Sequence, residues 1–442
     1  MLTWAYSDFG APGKELRRET IANPGFERVT FANGVVLNFK ALSVEHERVK
    51  VRVRFGAGRR EIAKGDFFTA QLGANLFTDS GLGKHDAETL RRLFSNHGWE
   101  VKFGIGDDAF ELFGDTNSTD LQSEMQILAA YVSDPGFRRA TDARLPTALE
   151  TMIRQSRVSP EFALSQALNR AIAPDGAYLS PPREALLKIN TAAFERIFKP
   201  ALTQAPLEVT IVGDTTLDRA VGAVARTLGA LPPRPATPRE RAGAWFLRYP
   251  AVAPPEIRTT YESTASKAVI SLIWPLYVAE PSRRREEYAL NILANALDDA
   301  IRHKVRAEMG KSYAPTVGMS APDKADQGDI SAIIETDAAD VDAVTKAARD
   351  TALAVSASGV SAEAFEAARK PVLDRGVTRL ESLDSWMDGL DGSASDPEIL
   401  REFVDWDADM HSVTLDDVNR AAKAWLSKPP IVTIATPVPP TP

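Results

Sequence analysis

The chain has 442 residues, of which 44% are hydrophobic and 25% charged; this is typical of a soluble globular protein and is too long for one core. Its net charge of −8 argues against a nucleic-acid-binding protein, which needs a basic face. The absence of Cys excludes disulfides and thiolate metal sites. No apolar run approaches the roughly 20 residues of a transmembrane helix, and because the N-terminus lacks the pattern of a secretory leader, we expect none in this chain.

Strand and helix patterns alternate along the first half of the sequence. Residues 1–27 are interrupted by Gly and Pro and predict an extended arm or linker. Asn33-Gly34 between two apolar runs predicts a hairpin, and the strict alternation of Val49–Phe55 predicts a strand with one buried face. Further patterns predict helices at 67–79, 87–97, 119–131, 140–156, 160–173 and 217–228, and strands at 100–105, 109–114 and 207–212.

The second half repeats this order after a Pro-rich stretch, 232–255, which we interpret as a linker because Pro disrupts helices and central strands. Similar segments recur at an offset of 220 residues, from 115 to 335, and of 224 residues, from 207 to 431, which indicates an internal duplication. We therefore predict an α+β fold of two tandem homologous α/β sandwich (α/β roll) domains, each with an antiparallel-rich sheet packed against helices. The predicted segments are an arm at 1–27, a first domain at 28–231, the linker at 232–255 and a second domain at 256–436.

The stretch 301–318 contains a candidate functional pair. Apolar residues recur every three or four positions from Leu290 to Val305, so one face of a helix is apolar. Gly310 lies where this helix is expected to end, and a strand is predicted to begin at Tyr313. A strand returning beside its helix would bring the guanidinium of Arg306 close to the phenol of Tyr313. The alternative is an ordinary surface Arg and a half-buried Tyr.

Motifs for common catalytic chemistry are missing from the sequence. The five His residues include no pair one helical turn apart with a Glu between them, as a helix-borne zinc site requires. His85 and Glu88 form only a loose H-x-x-E, and a helical His without a metal role, beside Asp86, accounts for it better. The sequence also lacks a phosphate-binding loop that ends in Lys-Ser/Thr and a G-x-S-x-G nucleophile turn.

The order of the segments nevertheless resembles a known family. NGVVLNFK, VRVRFGAGRRE, a helix, DDAFELFGDT, a helical pair, LEVTIVGD and a Pro-rich linker are followed by a second copy that contains R-x6-Y. This order resembles the insulinase/pitrilysin-type (M16) zinc peptidases, whose active half carries an H-x-x-E-H zinc motif.

The resemblance also implies that the metal site of this chain is degenerate. Aligning Asn75-Leu76-Phe77 with the M-L-F of the family places Ala70 and Ala74 at the two His positions and Gly73 at the Glu. The chain itself is then expected to bind no metal or other cofactor. Glu150 lies about where the family has a distal carboxylate ligand, and without imidazoles beside it we expect a Glu on a helix surface.

Arg306 and Tyr313, in contrast, match the R-x6-Y with which the second half of such enzymes completes a zinc site in its partner half. The resemblance therefore implies a zinc-lacking half, or a partner subunit, of a zinc metalloendopeptidase that is inactive alone. In trans, Arg306 and Tyr313 would bind the peptide substrate and stabilise the oxyanion. Zinc is expected in the partner half, which is either fused upstream or a separate subunit.

The alternative function is a non-catalytic peptide-binding or scaffold module of the same fold, because a fold does not determine a function. An unrelated ligand-binding protein has no motif to support it. The sequence predicts no compartment by itself, but as part of a longer exported protein the chain would be expected in the bacterial periplasm.

Overall fold

The computed structural model describes residues 2–173, 178–235, 249–277, 284–310, 315–321 and 327–440. The chain forms two compact units, and neither is one continuous stretch of sequence. The first unit comprises residues 1–147, 184–245 and 378–405, and the second comprises residues 148–183, 246–377 and 406–442.

These units differ from the two consecutive domains predicted at 28–231 and 256–436. Residues 148–183 and 378–405 each join the unit whose sheet is built by the other half of the sequence. Residues 236–248 of the predicted linker lie outside the described residues, so the boundaries of the linker stay a prediction.

Within the described ranges, a seven-stranded sheet forms the first unit. Its strands are β1 (Glu15–Ile21), β2 (Phe26–Phe31), β3 (Val36–Ala41), β4 (Val49–Phe55), β5 (Val101–Ile105), β6 (Phe110–Thr116) and β7 (Leu207–Gly213). Their order is β1-β2-β3-β7-β4-β6-β5, and all neighbours are antiparallel except β3 and β7, which are parallel. The predicted strand β4 alternates as expected, turning its Val and Phe side chains to the core and its three basic side chains to the opposite face.

The predicted hairpin is confirmed by the antiparallel pairing of β2 with β3 around Asn33-Gly34. Gly34 has a φ of 90°, a conformation that favours glycine. The predicted arm, in contrast, contains β1, which pairs with β2 at the edge of the sheet. The sequence of β1, ELRRETI, has charged residues on both faces, as suits an exposed edge strand. It therefore lacks the alternation by which a strand can be detected in a sequence.

The described part of the second unit contains a five-stranded sheet. Its strands are β8 (Ile257–Glu262), β9 (Lys267–Leu276), β10 (Thr316–Ser320), β11 (Gly328–Asp337) and β12 (Ile431–Val438). Their order is β10-β11-β9-β12-β8, with only β12 and β8 parallel. The strands β8, β12, β9, β11 and β10 correspond to β3, β7, β4, β6 and β5, in the same order and with the same directions; β1 and β2 have no counterpart among the described strands of the second sheet. The predicted duplicated α+β fold is therefore confirmed.

The helices of the described residues are α1 (Phe67–Asn75), α2 (Ala87–Leu93), α3 (Leu121–Ser133), α4 (Leu145–Arg157), α5 (Pro160–Ile172), α6 (Arg183–Leu186), α7 (Thr191–Gln204), α8 (Leu217–Ala225), α9 (Arg284–Arg302), α10 (Val341–Ser358), α11 (Ala362–Arg379), α12 (Leu383–Leu390), α13 (Pro397–Ser412) and α14 (Leu415–Trp425). Local sequence sets several of their starts. Asp86 and Ser159 cap α2 and α5, and Thr414 and Asp417 form a capping box at α14. None of these helices combines the length and the hydropathy that a membrane span requires.

Each sheet has a core face and a covered outer face. In the first unit, α3 and α8 pack on the sheet and α7 packs on α1 and α3; in the second, α9, α10 and α14 pack on the sheet. The outer face of the first sheet is covered by α12, which lies on β7 and β4, and that of the second by α5, which lies on β8 and β12. The two covering helices are thus exchanged between the halves of the sequence. Apolar periodicity predicts the buried face of such a helix but not the sheet that buries it.

One position differs sharply between the two copies. Glu124 of α3 is fully buried, and neither of its carboxylate oxygens has a hydrogen-bond partner among the described residues. Burial, with a smaller contribution from Asp115, holds the pKa of Glu124 well above its usual range. Aligning the first residues of α3 and α10 places Glu124 at Val344, which is also fully buried. The second copy therefore has an apolar residue at the position where the first has an unpaired acid.

We predict that Glu124→Val stabilises the protein by about 2 kcal/mol near pH 8, because the two side chains are similar in size and Val has no polar atom to desolvate. An acid with a raised folded-state pKa destabilises the fold as pH rises above the unfolded value of about 4.3. The gain should therefore be smaller near pH 5. The urea-unfolding midpoints of the variant and the wild type, compared at the two pH values, measure this gain in stability. Glu124→Gln keeps the shape but cannot ionise and should remove the pH-dependent part alone; a lower midpoint for Glu124→Val near pH 8 would contradict the prediction.

Candidate functional site

The helix α1, to which the resemblance assigns the metal motif, has a face of small buried residues. Ala70, Gly73 and Ala74 lie three and four positions apart, so they share one side of the helix. A Cβ placed on Gly73 would lie 2.6 Å from Phe194 Cδ1 and 2.9 Å from Phe198 Cε2. Because these two rings of α7 fill the space beside position 73, a Glu side chain has no room there.

Aromatic rings continue this packing around α1. The Phe103 ring lies 4.9 Å from that of Phe198 and 4.3 Å from that of Phe77, measured between centroids. Zinc needs nitrogen, sulfur or oxygen ligands, and this cluster offers none. In the part of the chain that the structure describes, no three His, Asp or Glu residues are grouped so that they could hold a metal ion. The residues at the predicted degenerate positions therefore do not fit zinc.

Glu150, the second position that the resemblance implicates, lies on α4 within the second unit. Its carboxylate forms an ion pair with Arg183, and the two side chains are 32% and 55% exposed. The Arg183 guanidinium donates to both carboxylate oxygens of Glu150, as expected for a Glu at a helix surface rather than a metal ligand.

His85 has a structural role that differs from the predicted helical position. It precedes α2 and is 9% exposed, and its Nε2 accepts a hydrogen bond from the backbone N–H of Ala5 at 3.0 Å. Its ring stacks on Trp4 at 5.3 Å between centroids. Burial, followed by the charge of Arg138, lowers the pKa of His85. His85 thus binds the N-terminal segment, a contact between residues 80 positions apart that no sequence pattern reveals.

Arg306 lies in the π-helical turn His303–Glu308 that continues α9. Ile301 and Val305 are fully buried and hold this turn against the core, whereas Arg306 is exposed. Gly310, with a φ of 64°, follows the turn, and its N–H donates to the Arg306 carbonyl at 3.2 Å. The helix therefore ends where the sequence predicts, and π-helical turns are rare and frequently functional.

Tyr313 lies outside the described residues, so its distance from Arg306 and the role of the pair stay predictions. The sequence predicts a strand that begins at Tyr313. In the structure this strand is β10, and it begins at Thr316. Residue 315 is described and is not part of the strand.

Asp298 joins the two ends of the segment that contains Arg306. One of its oxygens accepts the backbone N–H of Val317 in β10 at 2.7 Å, and the other pairs with Arg302 at the end of α9. One carboxylate therefore holds both the helix before the π-helical turn and the strand after it. The spacing of four residues between Asp298 and Arg302 predicts their ion pair from the sequence. No sequence pattern predicts the hydrogen bond from Val317 to Asp298.

Part of the chain is similar in sequence to a known protein family. Residues 188–372 match the family model described as "Peptidase M16 inactive domain". This part of the chain is therefore similar to the inactive domain of M16 peptidases.

Solved structures of proteases and of an M16 inactive domain share the fold of this chain. The periplasmic protease PqqL from Escherichia coli superposes with a TM-score of 0.79 at 15% identity, over 100% of this chain and 48% of PqqL. The ferredoxin protease FusC, solved as a mutant in complex with Arabidopsis ferredoxin, gives a TM-score of 0.79 at 16% identity, over 97% of this chain and 46% of FusC. A peptidase M16 inactive domain from Pseudomonas fluorescens gives 0.75 at 17% identity, over 94% of this chain and 100% of that domain.

The chain thus spans about half the length of PqqL and FusC and the whole length of the isolated M16 inactive domain. No curated protein matches it in sequence. The comparisons therefore establish that the chain shares the fold of these proteins and that residues 188–372 are similar to the M16 inactive domain.

We predict that Gly73→Ala lowers stability by about 1–3 kcal/mol, because the new methyl group must displace the Phe194 ring from a packed core. Thermal melting of the purified chain measures the loss. Gly65→Ala is the matched control: a Cβ there meets no atom within 4 Å, so a change within about 0.5 kcal/mol is expected. Equal melting temperatures for the two variants would contradict the packing described around α1.

We also predict that Asp298→Ala loosens β10, because the N–H of Val317 loses its acceptor and Arg302 loses its partner. Hydrogen exchange of peptides covering 316–320 should become about tenfold faster or more, which corresponds to at least about 1.4 kcal/mol of local stability. Asp374→Ala, which removes an exposed i,i+4 pair with Lys370 on α11, serves as the control and should leave this exchange unchanged. Unchanged exchange in Asp298→Ala itself would show that the carboxylate does not hold the strand.

Proposed function

We propose that this chain is the zinc-lacking half, or partner subunit, of an M16-type metallopeptidase, and that it contributes Arg306 and Tyr313 in trans to a zinc-bearing half. The observation that carries the proposal is the packed face of α1, where Gly73 lies against Phe194 and Phe198 in a chain with the fold of M16 protease halves. A half that cannot hold the metal itself can still act by completing a site in its partner.

Arg306 suits such a role because its position is fixed while its guanidinium remains exposed. The buried side chains of Ile301 and Val305 anchor the π-helical turn, and Asp298 holds the two ends of the segment. A guanidinium in a preorganised position loses little entropy when it binds a peptide carbonyl or carboxylate.

Peptide hydrolysis develops negative charge on the oxygen of the scissile carbonyl. In the proposed complex, the phenol of Tyr313 donates a hydrogen bond to this oxyanion, and Arg306 binds a neighbouring oxygen of the substrate. Both contacts strengthen as charge develops, so they lower the barrier rather than only binding the substrate. The partner half would supply the zinc-activated water and the general base.

An extended peptide is the substrate class that fits a fold with open sheet edges, because a strand can be added to such an edge through backbone hydrogen bonds. Among the described residues, β5 and β10 each end a sheet with one paired neighbour. In β10, the N–H of Val317 already donates a hydrogen bond to Asp298, so it is not available to an added strand. Of these two edges, that of β5 is therefore the better candidate for an added strand.

The test is reconstitution with a zinc-bearing M16 half from the same organism and measurement of peptide cleavage. We predict that each chain alone is inactive and that the mixture is active. Tyr313→Phe should lower kcat about 100-fold, the effect of removing one oxyanion donor, and Arg306→Ala should lower kcat/KM by a similar factor. Lys346→Ala, an exposed cation on α10 paired with Asp350, is the control and should have no effect.

The outcomes separate this proposal from a scaffold or peptide-binding function of the same fold. Cleavage that requires the chain but is unaffected by Tyr313→Phe would favour the scaffold. Cleavage by the chain alone would contradict both.

A further inference from the structure

The outer face of the first sheet is polar and lies beneath residues 383–396, which we call the cover segment. It consists of α12 and the turn that follows, and it belongs to the first unit. Its apolar side chains pack on the sheet. Its acidic side chains face the basic residues of β4: Asp384 pairs with Lys50, and Asp388 with Arg52 at 3.1 Å. The cover segment is therefore held by charge as well as by apolar contact.

Three neighbouring strands place alternating charges beneath the turn of the cover segment. Arg54 of β4 lies opposite Glu111 of β6 and Glu208 of β7 in the registers of the two strand pairs. Arg54 Nη1 is 3.6 Å from Glu111 Oε1, and Arg54 Nη2 is 2.6 Å from Asp108 Oδ1. Glu208 is 7% exposed and accepts a hydrogen bond from Asn38 at 2.7 Å. Glu111, Arg54 and Glu208 thus form a row of largely buried ionisable groups across the three strands.

Asp391 of the cover segment inserts into the row. Its side chain is 3% exposed, and its Oδ2 lies 3.4 Å from Arg54 Nη1 and 3.6 Å from Arg52 Nη1. The backbone of the turn also binds the sheet, because the N–H of Ala394 donates to Glu208 Oε1 at 3.1 Å. The two glutamates and Asp391 therefore share one contact between the cover segment and the sheet.

Glu111 and Asp391 both lie beside the same nitrogen of Arg54: Nη1 is 3.6 Å from Glu111 Oε1 and 3.4 Å from Asp391 Oδ2. Buried carboxylates that share one guanidinium repel each other when both are ionised, which favours the protonated form of Glu111. Asp391 Oδ1 is also buried and has no hydrogen-bond donor among the described residues. Burial, together with the charge of Asp391, raises the pKa of Glu111 and of Glu208 to about 7.

Within the described ranges, the other charged groups around this contact are five cations and four carboxylates, so their net charge is +1 while both glutamates are protonated and −1 once both are ionised. Arg28 of β2 donates to Ser393 at 2.7 Å, and Lys40 of β3 lies 4.0 Å from the centroid of the Trp386 ring. The carboxylates facing the contact are then Asp108, Asp384, Asp388 and Asp391, and the cations are Arg28, Lys40, Lys50, Arg52 and Arg54. Ionisation of Glu111 and Glu208 adds two negative charges beside Asp391.

The second sheet provides an internal comparison. Its outer face is covered by α5, whose Ala163 and Leu164 pack against Tyr261, Val269 and Ala435. This contact is apolar, in contrast to the row of carboxyl groups and guanidinium groups on the first sheet. The same duplicated fold thus has one cover held by apolar packing and one held in part by ionisable groups.

We propose that the cover segment is a pH-responsive element: its turn is held on the first sheet while Glu111 and Glu208 are protonated and loosens as they ionise. An acid whose pKa is higher in the closed form stabilises that form fully below the open-form value, which is about 4.3 for Glu. The stabilisation is lost as pH rises towards the closed-form pKa of about 7. Opening increases by up to about tenfold per pH unit for each glutamate in this window, and it exposes Arg52 and Arg54.

Hydrogen exchange of the whole chain, followed by mass spectrometry of peptides covering 383–396, tests this at about pH 5.5 and about pH 7.5. After correction for the intrinsic pH dependence of exchange, we expect the opening constant of the wild-type segment to rise about tenfold or more. Peptides covering α5 should show no such change. An unchanged opening constant in the wild-type segment would overturn the proposal without any variant.

Variants test which groups are responsible. The double variant Glu111→Gln/Glu208→Gln keeps the shapes and cannot ionise, so its opening constant should vary less than about twofold over the same range. Glu88→Gln, an exposed residue of α2 in the same unit, should behave as wild type. If the double variant does not fold, each single variant should retain part of the effect. A full wild-type response in the double variant or in both single variants would assign the effect to other groups and overturn the proposal.

Discussion

The close contact between Gly73 of α1 and the Phe194 and Phe198 rings of α7 decides what the first unit can hold. Because Gly73 has no side chain, the rings approach the helix backbone, and a single added methyl group would meet Phe194 at 2.6 Å. The buried core of this unit depends on that approach, since Phe198 is also in ring contact with Phe77, Phe103 and Phe110. The same packing that stabilises the unit removes the space a metal-binding helix face would need, so stability and metal binding exclude each other at this position.

The duplication explains why the fold persists while the chemistry of its parts differs. The five strands of the second sheet have the same order as five strands of the first, and each sheet is covered on its outer face by a helix from the other half of the sequence. Within this shared scaffold, Glu124 stands where the second copy has Val344, and ionisable groups stand where the second copy has the apolar contact of α5. The scaffold is determined by backbone pairing and apolar burial, which leaves individual positions free to change.

Local signals in the sequence were enough to predict the hairpin at Asn33-Gly34, the strand β4, the end near Gly310 of the helical segment that α9 begins, and the duplication itself. Each of these depends on neighbouring residues or on a period that can be counted. The strand β1 escaped prediction because its charges follow no alternation. The exchange of α5 and α12, the packing of Phe198 on Gly73 and the bond from Val317 to Asp298 are contacts between distant positions, and one sequence contains no pattern that specifies them. The pairing of Arg306 with Tyr313 rests on spacing and resemblance, since Tyr313 lies outside the described residues.

The zinc content of the purified chain, measured after saturation with zinc and dialysis against a weak chelator, is the most direct test of the central claim. A helix face made of Ala70, Gly73 and Ala74 and filled by phenyl rings should retain no stoichiometric metal. Retention of one zinc ion per chain, lost together with structure when the metal is stripped, would contradict the claim that this half depends on a partner for its metal.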